Sequence, residues 1–118
     1  MFEPRARMPH FVVTSVDGEV ADYRAIWQNA NLVLVCLDES EASQPLEIIA
    51  AELAGRSSEF AALQSRLVVT RDAIATVPRP GVVIADRWGE IHATLNAAAV
   101  TDANDLVEWL RFIERRCG

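Results

Sequence analysis

Apolar and polar positions run along the chain in blocks whose period changes from element to element. Residues 32–37, LVLVCL, are apolar without a break, the pattern of a central strand covered on both faces. Leu46, Ile49, Ala50 and Leu53 follow at helical intervals, with Gly55 as a stop. Upstream, residues 11–16 form a β-branched and aromatic run that breaks at Asp17-Gly18, a turn signal, and resumes over residues 19–23. Tyr23, Ile26 and Trp27 then fit a short helix over residues 23–28, which would turn Trp27 toward the core. Ser58 can cap another short helix through Phe60 and Leu63, and residues 67–70 read as a strand.

The segment Val77-Pro78-Arg79-Pro80-Gly81 can continue neither a helix nor a central strand. Residues 82–86 and 90–95 flank Arg87-Trp88-Gly89 as an antiparallel hairpin. Thr101 or Asp102 can cap a last helix whose Leu106, Trp109, Leu110 and Ile113 form one apolar stripe. Its acidic start and basic end, Arg111 to Arg116, complement the helix dipole. Together these predict an α/β sandwich of mixed strand direction, with a βαβ front half and a ββα back half.

The 118 residues suit one domain over 1–118, with residues 1–9 as a loose N-terminal extension. No apolar run reaches eighteen residues, and no apolar segment follows the basic residues of MFEPRARMPHF, so the expectation is a cytoplasmic protein without a membrane partner. A net charge of −6 argues against nucleic acid, because no block of Arg outweighs the carboxylates. Two cysteines, Cys36 and Cys117, are too few for a disulfide framework or a structural zinc site, and His10 and His92 sit in unrelated segments. No metal and no cofactor is implied.

The element order, with a strand-to-helix turn and a proline before a hairpin, resembles the thioredoxin-like fold, a three-layer sandwich around a central mixed sheet. Residues 32–53 resemble the strand and helix around that family's Cys-x-x-Cys. Residues 80–90, PGVVIADRWGE, resemble its cis-proline and hairpin, and residues 102–116 its terminal helix. His10-Phe11, Asp17-Gly18 and Asp86-x-x-Gly89-Glu90-Ile91 look closest to the redoxin branch, the peroxiredoxin-like relatives. In this alignment Ser40 and Ser43 stand at, or within one residue of, the two cysteine positions. The peroxiredoxin motif Pro-x-x-x-Thr-x-x-Cys does not occur.

A helix N-terminus activates a thiol by stabilising the thiolate, whereas a serine hydroxyl stays protonated and forms no mixed disulfide. Ser40 and Ser43 read instead as helix caps. Asp38, Glu39, Glu41 and Glu47 crowd the turn and would oppose ionisation of any thiol there. Cys36, inside the apolar run, reads as a small core hydrophobe, and Cys117 as a thiol near the chain end. If Pro80 acts as the resemblance implies, then Arg79, Pro80 and Gly81 form a shallow groove with Ser40, Glu41, Ala42 and Ser43 that takes a protein or peptide partner.

Two functions are therefore expected in competition. One is a redox-inactive binding or scaffold module. The other is an atypical thiol-disulfide oxidoreductase or peroxiredoxin-like antioxidant protein using Cys36 or Cys117. Trp88, in the hairpin turn, is either a contact residue, for instance in a homodimer, or a lid over the domain's own core.

Overall fold

A computed structural model describes residues 6–117, the side chain of Cys117 excepted. Its centre is a four-stranded sheet of β3 (Asn31–Cys36), β4 (Ser65–Thr70), β5 (Gly81–Ala85) and β6 (Ile91–Asn96), in the order β4-β3-β5-β6. β3 runs parallel to β4 and antiparallel to β5, and β5 pairs antiparallel with β6, so the sheet is mixed. α2 (Ser43–Ala54) provides the crossover from β3 to β4, followed by the short α3 (Ser57–Ala62). α4 (Ala103–Cys117) closes the chain.

Strand alternation distributes the apolar side chains between two cores. Val33, Val35, Val82 and Ile84 face Leu46, Ile49 and Leu53 of α2 and Leu106, Leu110 and Ile113 of α4. Leu32, Leu34, Cys36, Val83 and Ala85 point the other way, onto Met8, Phe11, Val13, Tyr23 and Ile26. Every residue of β3 and β5 is buried, because both faces are covered.

The second face is covered by a two-stranded antiparallel ribbon, β1 (Val12–Thr14) and β2 (Val20–Asp22), and by the single turn α1 (Tyr23–Ile26). This ribbon is separate from the sheet, joined to it by a bridge between Ser15 and Thr70. The parallel pairing of the front half is accordingly confined to β3 and β4.

Three local expectations are corrected. α1 ends at Ile26, and Trp27 has extended backbone (ψ 133°), so its indole is 44% exposed and does not enter the core. The N-terminal segment is not loose over residues 6–9: the Ile91 N–H donates to the Ala6 carbonyl, the Met8 N–H donates to the Gly89 carbonyl, and Met8 is buried. The rest of that extension lies outside the described residues. Ser58 does not cap the short helix but lies inside α3, whose cap position is Arg56; the Arg56 side chain makes no capping bond and pairs with Glu59 at 2.8 Å.

Asp102 does cap α4, accepting from the Asn104 N–H at 2.8 Å. Among the described residues no helix is long and apolar enough to cross a membrane.

Candidate functional site

The end of β3, the turn to α2 and the loop before β5 meet at one pole of the sheet. Register explains why. Cys36 lies opposite Thr70 on one side and Gly81 on the other, so the residues following Cys36, following Thr70 and preceding Gly81 must converge.

Asp38 organises the turn. Its Oδ1 accepts from the Ser40 N–H at 2.9 Å, the Ser40 hydroxyl at 2.6 Å and the Ser43 hydroxyl at 2.8 Å. The Ser43 Oγ in turn accepts from the Asp38 N–H at 2.8 Å. Hydrogen bonds from Ser40 and then Ser43 hold the Asp38 carboxyl below its ordinary range, with the Arg79 charge assisting.

The serines are therefore not helix caps. The residue before α2 is Ala42, without a side-chain cap, and Ser43 is the first helical residue, buried and turned back onto Asp38. The carboxylate is the stronger acceptor for both hydroxyls, and it leaves the Ser43 and Gln44 N–H groups to the carbonyls of Ser40 and Glu41 in a tight turn.

Two arginines tie the neighbouring loops to this turn. Arg71 donates to the Asp38 carbonyl at 2.9 Å and pairs with Glu47. Arg79 donates from Nε to the Leu37 carbonyl at 3.1 Å and from Nη2 to the Arg71 carbonyl at 2.6 Å. The Arg79–Pro80 peptide bond is cis.

Pro80 is half-buried, its carbonyl accepts from the Ala97 N–H, and Gly81 is buried inside the sheet. The Arg79 backbone N–H and C=O take no hydrogen-bond partner among the described residues. Glu39, Ser40, Glu41, Ala42 and Arg79 are exposed.

Each residue expected in the groove lies at this pole of the sheet: Ser43 and Gly81 are buried, Ser40, Glu41, Ala42 and Arg79 exposed, and Pro80 half-buried. Arg71 was missed from sequence. Its signal is the parallel βαβ unit itself, which places the first residue after β4 beside the turn after β3.

Cys36 is fully buried, and this desolvation pushes its thiol up to about 11, with the Arg79 charge pulling weakly the other way. Cys117 closes α4, and its side chain lies outside the described residues.

At the opposite end of the sheet, Asp86 holds the β5–β6 turn. Its Oδ1 accepts from the Trp88 and Glu90 N–H groups at 2.9 and 3.0 Å, and its Oδ2 lies 3.0 Å from the His92 Nε2. Asp86, Glu90 and His92 bring potential metal-ligating atoms within 4.8 Å of one another. Both Asp86 oxygens are already engaged by the turn and the imidazole, which is the bonding of a structural turn. Trp88 projects from that turn, 53% exposed, and so is not a lid over the core.

Comparison with solved structures matches this architecture across nearly the whole chain. A mitochondrial 2-Cys peroxiredoxin from Plasmodium falciparum superimposes with a TM-score of 0.64 at 12% identity, over 94% of each chain. The fold is thioredoxin-like. The solution structure of an uncharacterized thioredoxin-like protein from Porphyromonas gingivalis also matches, with a TM-score of 0.52 at 12% identity, over 96% of this chain and 95% of the other. No family model and no curated protein matches the sequence. At this identity the likeness concerns the fold and leaves the chemistry to the site.

Proposed function

We propose that this thioredoxin-like domain is a redox-inactive binding module whose partner is an extended protein or peptide segment. That segment lies across the Ser40–Ser43 turn and the Arg79–Gly81 loop.

One observation carries the reading: the two side chains in the turn between β3 and α2 are hydroxyls bonded to the Asp38 carboxylate. A carboxylate within bonding distance disfavours a second negative charge, so the turn is built to hold an acid and not a thiolate. The backbone N–H and C=O of Arg79, in the exposed loop before β5, take no partner among the described residues and offer an extended segment one donor and one acceptor. Glu39, Glu41 and Arg79 around them give the partner's side chains charges of both signs to read.

Insulin-reduction and peroxide-consumption assays of the wild type, beside Cys36→Ser and Cys117→Ser, test this directly. The expected result is no turnover above buffer in any of the three. Turnover in the wild type that disappears in one variant would establish the competing reading, an atypical thiol-disulfide oxidoreductase or peroxiredoxin-like antioxidant protein using that cysteine.

A further inference from the structure

Far from the Asp38 turn, Arg7 and two side chains at the ends of α1 meet over one glycine of the β5–β6 hairpin. A Cβ built on Gly89 would lie 3.2 Å from the Tyr23 hydroxyl, 3.4 Å from Arg7 Nη2 and 3.5 Å from Trp27 Cδ1. Gly89 adopts φ +85°, as the hairpin turn requires, so the backbone disfavours a side chain there and the Tyr23 hydroxyl leaves little room for one.

Above it lies a cleft of about 250 Å³ lined by Arg7, Met8, His10, Tyr23, Arg24, Trp27 and Gly89. Tyr23 is 93% buried, as its relative exposure of 7% implies, yet its hydroxyl has no hydrogen-bond partner among the described residues. Leaving such a group unpaired is costly, and each native instance calls for an explanation.

The lining carries a consistent charge. In a chain of net charge −6 it contains two arginines and a histidine and, among the described residues, no carboxylate. Asp22 stands behind His10, 3.2 Å from its Nε2. Arg7 donates one bond, from Nη2 to the Trp88 carbonyl, and the Arg24 guanidinium has no carboxylate partner among the described residues. Burial, with the Asp86 charge nearby, raises the Tyr23 pKa, so the phenol is a donor at neutral pH. Met8 and the half-exposed Trp27 add apolar surface beside these donors. The volume falls below the roughly 300–1,000 Å³ of pockets for drug-sized ligands, which limits the occupant to about one ring.

We infer that this cleft is a binding site for a small single-ring carboxylate. The carboxylate accepts from the Tyr23 hydroxyl and is neutralised by Arg24 and Arg7, and the ring lies against Trp27 and Met8. The volume suits one ring better than a nucleotide, and the absence of carboxylates among the described lining residues disfavours cations. The site is independent of the Asp38 turn, so it stands or falls separately from the proposed function.

Benzoate, with benzamide as its neutral isostere, serves as the probe in a ¹H–¹⁵N NMR titration of the full chain. Saturable shifts are expected at the Trp27 indole N–H and the Gly89 amide with millimolar benzoate, and at least tenfold weaker binding of benzamide. Tyr23→Phe removes only the unpartnered oxygen and keeps the ring stacked on Phe11 at 5.3 Å; it is expected to weaken benzoate about tenfold or more. Arg24→Gln, at an exposed position, tests the charge without touching the core and is expected to act in the same direction. Absence of saturable shifts at these two groups, equal response to benzamide, or benzoate binding unchanged in the folded variants would overturn the assignment.

Discussion

Gly81→Ala is expected to destabilise the domain by about 3 kcal/mol, lowering Tm by on the order of 10 °C. A Cβ at this position would stand 2.7 Å from Pro78 Cγ, 2.8 Å from the Leu95 carbonyl oxygen and 2.9 Å from the Pro78 carbonyl oxygen. Two of these neighbours are backbone atoms. Leu95 belongs to β6 and Pro78 to the loop before β5, so relief requires moving the β5–β6 pair or the loop. Because Arg79 bonds from that loop to Leu37, the displacement would carry into the turn at Asp38. Urea unfolding of both proteins measures the loss. Gly55→Ala is the control: Gly55 has φ −77° and its nearest neighbour would lie 3.4 Å away, so that change is expected to stay within about 0.5 kcal/mol of the wild type.

Asp86→Ala is expected to cost about as much, roughly 3 kcal/mol, at the opposite pole of the sheet. The substitution removes the acceptor shared by the Trp88 and Glu90 N–H groups and takes the carboxylate away from a His92 side chain that is only 4% exposed. An ionised carboxylate only accepts, so the His92 nitrogen facing it, Nε2, carries the proton. Asp86→Asn therefore restores the turn through its carbonyl oxygen but sets an amide N–H₂ against that N–H. It is expected to recover about half of the loss. Thermal unfolding of the three proteins at neutral pH checks the order: wild type, Asp86→Asn, Asp86→Ala. Equal stability of Asp86→Asn and the wild type would show that the imidazole takes the other tautomer in the variant, with Nε2 accepting from the amide.

The regular elements were legible because local pattern decides them. The unbroken apolar run at 32–37 is β3, buried on both faces, and its place in that run is also why Cys36 was readable as a core residue. Leu46, Ile49, Ala50 and Leu53 face the sheet as their spacing requires. The Asp17-Gly18 and Arg87-Trp88-Gly89 turns lie where the patterns break.

What escaped the sequence was competition between partners. Ser40 and Ser43 are good caps in isolation, but Asp38, two residues before Ser40, offers a charged acceptor that captures both hydroxyls. Trp27 follows Ile26 at a spacing that a longer helix would bury; α1 stops after four residues, and the indole falls outside. Arg71 and Arg79 act at the Asp38 turn across 33 and 42 residues of separation, which no local pattern encodes. The meeting of Arg7, Tyr23 and Trp27 over Gly89 is hidden for the same reason, since the ribbon and the hairpin are brought together only by the sheet between them.

We propose that the Ser40–Ser43 turn stands where the resemblance to thioredoxin-like proteins puts a pair of cysteines. Both hydroxyls reach the same carboxylate oxygen, at 2.6 and 2.8 Å, and the Ser43 N–H donates to the Ser40 carbonyl at 3.1 Å. Side chains that converge on one atom across such a turn lie within the Cα separation that a disulfide spans, about 4.4–6.8 Å. Thiol titration and intact mass of the double variant Ser40→Cys, Ser43→Cys, before and after dithiothreitol, test the placement most directly. The account predicts an intramolecular disulfide between residues 40 and 43 that forms in air and opens on reduction, seen as two fewer free thiols in the oxidised protein. Two free thiols persisting at 40 and 43 under oxidising conditions would contradict it.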